Sequence, residues 1–311
     1  ASGTQIKGSL ESLREALEDV CSLRSILCFE TSDRYPVDEC ISENIEFMEN
    51  NHSNMCCGLF GMHASSSLSN ETLEKVSEQL KDRPIHIHVA ESKMDQDDSQ
   101  NKYKMAIVER LNKYSLVNES SLIVHGVHIT DHELEIIAKN KAWMVVNTTS
   151  NMNNAVGIPD VKNYLNHGIR VMVGNDGLST SMATEYLNVF YTGHLKNNTP
   201  LGMGLDDVLK MINNSYDYAS KMLGVKLGRI KEGFESDFLM IPYMPFTKMD
   251  SSNAFGHVFY GLYPTFTPKD VYRGGQCLIK NGKLLNSKID RELVKARQVS
   301  QDLWDRIMEV K

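Results

Sequence analysis

Short apolar runs alternate along the chain with longer stretches in which apolar residues recur every three or four positions. The short runs are bounded by residues that interrupt regular structure, so they predict buried strands, and the longer stretches predict amphipathic helices. The predicted strands cover residues 22–30, 56–63, 85–90, 122–125, 143–147 and 169–173. The predicted helices cover residues 10–20, 37–49, 71–80, 101–114, 133–139, 161–166, 183–195 and 205–222.

This alternation of strand and helix predicts an α/β fold with a parallel sheet. An open, doubly wound sheet and an eight-stranded barrel both satisfy the pattern. Because six strands are two too few for a barrel, either the sheet is open or two βα units are missing at the amino end. No glycine-rich phosphate-binding motif follows a strand, so nucleotide-phosphate binding has no support.

The pattern changes after residue 225. Short β segments are predicted at 237–242, 271–272 and 277–280, and a charged amphipathic helix is predicted at 290–311. We therefore expect the α/β domain, whether open sheet or barrel, over residues 1–225, a small β domain over 226–288 and a carboxyl-terminal helix over 289–311.

Composition narrows the class of protein. The chain has 33 basic and 40 acidic residues, and this net charge of −7 argues against a nucleic-acid partner. No apolar stretch approaches the roughly 20 residues needed to cross a bilayer, so no membrane association is expected. The six cysteines are scattered and form no C-x-x-C pair, which favours a reduced, cytoplasmic protein.

Candidate chemistry lies where two of the apolar runs end. His88 and Glu91 close the run at 85–90, and Asp176 closes the run at 169–173. In an α/β barrel, side chains at the carboxyl ends of the strands point into the mouth of the active site. A histidine and a carboxylate delivered there suit a cation such as zinc, and Glu91 would then stand beside a metal-activated water as a general acid or base.

An ordered set of motifs resembles the metal-dependent aminohydrolases of the amidohydrolase superfamily, the branch that holds deaminases and chlorohydrolases. Within that branch the chain is most similar to the aminohydrolases called SsnA. The motifs are His-x-x-Glu at His88 and Glu91, Val-His-Gly-Val-His at 124–128, Asn-Thr-Thr-Ser-Asn at 147–151, Gly-Asn-Asp-Gly at 174–177, and the segments 28–34, 61–69, 150–157 and 228–237.

The resemblance implies a TIM-type (β/α)8 barrel with a small β-sandwich domain and one divalent metal, Zn²⁺ or Fe²⁺. It implies that His88 and Asp176 bind the metal, that Glu91, His125 and Asp176 are catalytic, and that His63 and His125 contact the substrate. The implied reaction deaminates a small nitrogen heterocycle through attack of a metal-bound hydroxide, and we expect a homodimer.

The chain departs from the family pattern at two places, one of which is Thr148, where the family usually has proline. The other departure concerns the metal ligands. The family has a His-x-His metal-binding pair on its first strand, whereas the only such pair here, His86 and His88, belongs to the fifth-strand motif. We therefore expect the first barrel strands to be missing, with exposed strand edges at 22–30 and 169–173, and we expect His86 to face away from His88 as a structural residue. Hydrolysis of another C–N or C–Cl bond, or an inactive fragment, are the alternatives.

Overall fold

The computed structural model describes residues 6–178 and 180–310. In chain order, the described strands are β1 (Ser25–Leu27), β2 (Cys56–Gly58), β3 (Phe60–Ala64), β4 (Ile85–Val89), β5 (Leu122–His125), β6 (Trp143–Val146), β7 (Arg170–Val173), β8 (Phe238–Met240), β9 (Asp270–Arg273), β10 (Gln276–Lys280) and β11 (Lys283–Leu284).

The described helices include short 3-10 and π-helical turns at Glu15–Val20, Ser65–Ser67, His257–Leu262 and Tyr263–Thr265. The α-helices are α1 (Ser9–Arg14), α2 (Val37–Asn50), α3 (Asn70–Leu80), α4 (Lys93–Tyr103), α5 (Ile107–Lys113), α6 (Asp131–Lys139), α7 (Thr148–Asn153), α8 (Val161–Asn166), α9 (Met182–Asn197), α10 (Leu205–Leu223), α11 (Ala254–Gly256) and α12 (Ser287–Glu309). None of the described helices is long and apolar enough to cross a membrane.

The six predicted strand regions lie side by side in a parallel arrangement. β3 to β7 form one sheet in chain order, and β1 pairs with β2. The β1 pairing continues toward β3, because the N–H of Thr31 donates to the carbonyl of Gly61 and the N–H of His63 donates to the carbonyl of Thr31, at 3.1 and 3.0 Å. Among the described residues, β1 pairs with β2, and β7 pairs with β6.

The side chains of β4 alternate between two environments. Ile85, Ile87 and Val89 are buried against the surrounding helices, whereas the histidines between them face the other side of the sheet. The prediction that His86 faces away from His88 is wrong. Residues two apart on a strand share a face, and the two rings lie 6.0 Å apart.

The inner face of the sheet is apolar toward the amino ends of its strands. Leu122 and Trp143, the first residues of β5 and β6, pack with Cys28 and with Tyr218 of α10. The Tyr218 hydroxyl donates to the carbonyl of Ser120 at 2.9 Å, so its polar atom is satisfied in this apolar layer. The carboxyl ends of the strands are left for polar side chains.

Residues 93–113 form two helices where the sequence pattern predicts one, at 101–114. Helix α4 begins earlier because Ser92 and Asp95 form a capping box, in which each side chain accepts from the backbone N–H of the other residue. It ends at Lys104, which adopts the left-handed conformation with φ 56°. A short apolar-periodic pattern does not reveal such a break.

The small antiparallel sheet has the order β11–β10–β9–β8. The hairpin between β10 and β11 turns at Asn281 and Gly282, which both have positive φ, at 50° and 72°. Arg24, which precedes β1, joins this sheet to the parallel strands through ion pairs with Glu235 at 2.6 Å and Asp237 at 2.9 Å.

Candidate active site

Three potential metal ligands meet at the carboxyl ends of β4 and β5. The ligand atoms of His88, Glu91 and His125 all lie within 4.8 Å of one another. Ala90, between the end of β4 and Glu91, has a φ of 49°, a left-handed conformation that turns the chain sharply after the strand. From the sequence we expect His88, Glu91, His125 and Asp176 to converge at this end of the sheet, and the group within 4.8 Å contains the first three of them.

His125 is the last residue of β5 and is 1% exposed. Its Nδ1 lies 2.9 Å from Oδ1 of Asn151, and its Nε2 lies 3.5 Å from Oε2 of Glu91. His125 and Gly126 have φ values of 71° and 66°, and the Tyr164 hydroxyl secures this turn by donating to the Gly126 carbonyl at 2.6 Å. A non-glycine residue held in this region costs about 1–3 kcal/mol, and such strain is concentrated at functional sites.

Asp176 follows β7 on the exposed rim and is also left-handed, with φ 53°. Its Oδ2 accepts from the Ser150 hydroxyl at 2.7 Å, and its Oδ1 accepts from the Gly177 N–H at 2.9 Å. Asp176 does not belong to the group of three ligands that lie within 4.8 Å, so its role as a metal ligand stays a prediction.

The pKa of Asp176 reflects opposing effects. Burial raises the pKa of this carboxyl, but the Ser150 hydroxyl, the nearby His125 and the Gly177 N–H together lower it below its ordinary value. His88 makes a smaller contribution that also lowers the pKa of Asp176. An ionised carboxylate at this rim can accept a proton at neutral pH.

His88 is held neutral. Burial lowers the pKa of His88 to about 3, with further contributions from His125 and His63 against an opposing effect of Asp176. The rings of His88 and His125 lie 5.2 Å apart, nearly perpendicular to each other. A neutral imidazole keeps a nitrogen lone pair available, which is the form that binds a metal ion.

His63, the predicted substrate contact, lies in β3 next to His88, with 5.8 Å between the ring centroids. Its Nδ1 lies 2.7 Å from the Ser67 hydroxyl. Burial lowers the pKa of His63, and the carboxylate of Glu30 is the largest opposing influence. Glu30, His63 and His88 therefore share one electrostatic environment on neighbouring strands.

Glu30 is a buried carboxylate at the mouth of the site, with 8% of its surface exposed. Its Oε1 accepts from Nη2 of Arg34 at 3.0 Å. The Arg34 side chain is about half exposed, so the pair joins a buried charge to the solvent-facing rim.

The turn formed by α7 and the residue after it contacts each of the three predicted catalytic side chains. Ser150 binds Asp176, Asn151 contacts His125, and Nδ2 of Asn154 donates to Oε1 of Glu91 at 3.2 Å. Sequence reasoning assigned no role to these side chains. One feature of the sequence could have identified them, namely the run of polar residues directly after the buried strand β6. Such a run lies at the mouth of the site because it follows the carboxyl end of a strand.

The donor set fits a hydrolytic metal ion. Two imidazoles and one carboxylate are the ligand types that catalytic zinc uses in proteins, and the buried His88 is in the required neutral form. Their ligand atoms are near enough to bind one ion together. The same atoms would also suit iron, since nitrogen and oxygen ligands accept both metals.

Comparison with known proteins is consistent with this geometry. The family model described as the amidohydrolase family matches residues 1–284. The chain is 28% identical over 264 residues to a 5-methylthioadenosine/S-adenosylhomocysteine deaminase of Caldicellulosiruptor saccharolyticus, covering 81% of this chain and 59% of that protein. It is 26% identical over 302 residues to a 5'-deoxyadenosine deaminase of Methanococcus vannielii, covering 92% of this chain and 69% of that protein.

Solved structures of the same fold support a barrel of the TIM type. An adenosine deaminase from Xanthomonas campestris with bound zinc superposes with a TM-score of 0.79 at 18% identity, over 91% of this chain and 66% of that chain. An atrazine chlorohydrolase from Arthrobacter aurescens with zinc gives a TM-score of 0.78 at 18% identity, over 94% and 69% of the two chains. The chain thus spans about 60 to 70% of the length of these proteins.

Proposed function

The chain belongs to the amidohydrolase family, and we propose that it works as a metal-dependent hydrolase that removes an amino group from a small nitrogen heterocycle. The observation that carries the proposal is the convergence of His88, Glu91 and His125 at the carboxyl ends of two adjacent parallel strands. The two deaminase relatives act on adenosine-like compounds by name, which supports a heterocyclic substrate.

A divalent metal would be held by His88 and Asp176, with zinc as the first candidate and iron as the second. Glu91 and His125, whose ligand atoms lie within 4.8 Å of that of His88, would then stand beside the ion and act on its water. The bound ion would supply a water whose pKa falls from 15.7 to roughly 7. Two solved relatives of the same fold contain zinc, which favours that metal. Within the described residues, His86 and His88 form the only His-x-His pair, and both lie on β4.

Each proton-carrying group has a distinct environment. Asp176, with its lowered pKa, would take the proton from the attacking water. Glu91, held by Asn154, would deliver a proton to a ring nitrogen of the substrate. His125, fixed by Asn151, would hydrogen-bond the water and the developing charge, and His63 would contact the ring.

The proposal also covers the subgroup within the family, the cell compartment and the oligomeric state. A function of the SsnA type would fit the motifs in segments 28–34 and 61–69. The described cysteines form no disulfide, which favours a reducing compartment such as the cytoplasm. A homodimer would cover the strand edges at β1 and β7, since unpaired strand edges invite association.

Ammonium release tests the proposal. The purified chain is stripped of metal, reloaded with Zn²⁺ and incubated with adenosine, guanine, cytosine and a pterin. We expect ammonium from at least one compound, its loss in Glu91→Gln and its retention in Asp97→Asn, which changes an exposed carboxylate on α4. Chloride release from a chlorotriazine without any ammonium release would instead favour the chlorohydrolase alternative, and no reaction would contradict the proposal for this chain.

A further inference from the structure

The tautomer of His63 is set by Ser67. The Ser67 hydroxyl has one proton, and it lies 3.0 Å from the carbonyl of Ala64 and 2.7 Å from Nδ1 of His63. Both contacts are hydrogen bonds only if the hydroxyl donates to the carbonyl and Nδ1–H donates to the hydroxyl. If the hydroxyl instead donated its proton to Nδ1 of His63, the hydroxyl oxygen and the Ala64 carbonyl oxygen would face each other with no hydrogen between them. Nε2 of neutral His63 is therefore an acceptor.

Glu30 supplies a second acceptor on the neighbouring strand. Thr31 pairs with Met62, and Met62 is fully buried in the layer between sheet and helices. Because side chains alternate along a strand, Glu30 faces the other side of the sheet, the side that bears His63. Within residues 6–178 and 180–310, Arg34 is the hydrogen-bond donor to the Glu30 carboxylate. Its Nη2 donates to Oε1 of Glu30.

The two acceptors belong to one recognition surface. Adjacent strands lie about 4.8 Å apart, and the N–H of His63 bonds to the carbonyl of Thr31, the residue after Glu30. Oε2 of Glu30 has no partner among the described residues, and neither has Nε2 of His63. Neither atom is among the buried side-chain atoms that lack a partner, so both are accessible, and a ligand could bring hydrogen-bond donors to them in place of water.

We propose that Nε2 of His63 and the free carboxylate oxygen of Glu30 select a heterocycle with two neighbouring N–H donors on one edge. A ring N–H beside an exocyclic amino group, as in a 2-amino lactam, has this pattern. An adenine edge with bare ring nitrogens would place acceptor against acceptor and would be rejected. This inference rests on the proposed function for the location of the substrate, and it assigns the base-recognition edge that the proposed function leaves open.

The experiment measures binding rather than turnover. Isothermal titration calorimetry on the metal-free and the zinc-loaded chain compares guanosine with inosine, and isocytosine with pyrimidin-4-one. Each pair differs by one exocyclic amino group on the edge that carries the ring N–H. We expect the amino compound to bind about tenfold tighter in each pair, the size of one hydrogen bond to a charged group, and adenosine to bind weakest of the nucleosides.

Variants test the two acceptors separately. Ser67→Ala keeps the His63 ring but no longer fixes which ring nitrogen carries the proton. The preference for the amino compound of each pair should therefore fall about threefold. Ser66→Ala changes the neighbouring exposed serine and should keep the full preference. Glu30→Gln replaces one acceptor oxygen by an amide donor and should abolish the preference, with circular dichroism to confirm that the variant is folded.

The outcomes separate this inference from the proposed function. Equal binding within both pairs, tightest binding of adenosine, or no binding of any probe would overturn the inference. If ammonium is released but the two members of each pair bind equally, the proposed function is supported and the inference about His63 and Glu30 is wrong. A donor preference that Ser67→Ala weakens and Ser66→Ala preserves would support the inference even if no ammonium is released.

Discussion

Oδ1 of Asn151 lies 2.9 Å from Nδ1 of His125, and both side chains are almost completely buried. The contact ties the last residue of β5 to α7, the helix that follows the next strand. It sets the plane of the imidazole whose Nε2 faces Glu91. The site is therefore positioned by a helix that carries none of its predicted catalytic side chains.

Asn151→Ala should lower catalytic efficiency far more than it lowers stability. Without the amide, His125 loses its partner, and misorientation of a positioned group reduces kcat about 100-fold. The lost buried hydrogen bond should reduce the free energy of unfolding by about 1–2 kcal/mol. Met152→Ala, on the exposed side of the same helix, is the control. Steady-state kinetics and urea unfolding measure both effects, and unchanged kcat would contradict the positioning role.

The stability of the metal-free chain should fall as the pH drops below about 6.5. His88 has a folded pKa of about 3, against an ordinary value of 6.5, so between these values the unfolded state binds the proton and the folded state does not. Stability is thus complete above the unfolded pKa and is lost toward acid, by up to about 1.4 kcal/mol per pH unit. His88→Asn should flatten this dependence. The exposed His132→Asn should leave it unchanged, and urea unfolding between pH 4 and pH 8 would decide.

Ser150→Ala should move the acidic limb of the activity profile to higher pH. The Ser150 hydroxyl is the largest of the effects that lower the pKa of Asp176, so its removal raises that pKa. If ionised Asp176 accepts the proton of the attacking water, activity is then lost at a higher pH as the solution is acidified. The measurement is kcat/KM against pH, with the exposed Ser251→Ala as control. If the acidic limb of the profile does not move in Ser150→Ala, Asp176 is not the proton acceptor.

Arg110 should be a principal determinant of stability. It is 1% exposed, and its guanidinium donates to Asn70 Oδ1 at 2.9 Å, to the Ser65 carbonyl at 3.1 Å and to the Leu68 carbonyl at 2.6 Å. Arg110→Ala leaves these acceptors without a donor and should cost about 3 kcal/mol. Lys113→Ala removes an exposed cation of the same helix and should cost less than about 0.5 kcal/mol. Similar losses for both variants would contradict the assignment.

Much of the fold could be predicted from local pattern. The strands around Ile85–Val89 and Leu122–His125 appear where the apolar runs place them, and His88 and His125 lie at or near their carboxyl ends. Burial along a strand is periodic, so the sequence records which positions face the helices. That record, with the ordered motifs, was enough to predict the parallel sheet, the family and the meeting of His88 with Glu91.

Some features of the chain were missed although they are local. The break at Lys104 depends on a single left-handed residue, and the start of α4 depends on the Ser92 capping box. The shared face of His86 and His88 follows from strand alternation and was predicted wrongly. These three features depend on residues that are close together in the sequence, and none of them requires a contact between distant segments.

Only the tertiary structure decided how the site is held together. The contacts of Ser150, Asn151 and Asn154 join residues that are 26 to 63 positions apart in the chain. Hydrophobic periodicity carries no information about which polar side chains will meet, because a polar residue at a strand's carboxyl end can face any neighbouring loop. Strand ends and residue types are properties of the sequence, whereas partners, tautomers and lowered pKa values arise from packing between distant segments.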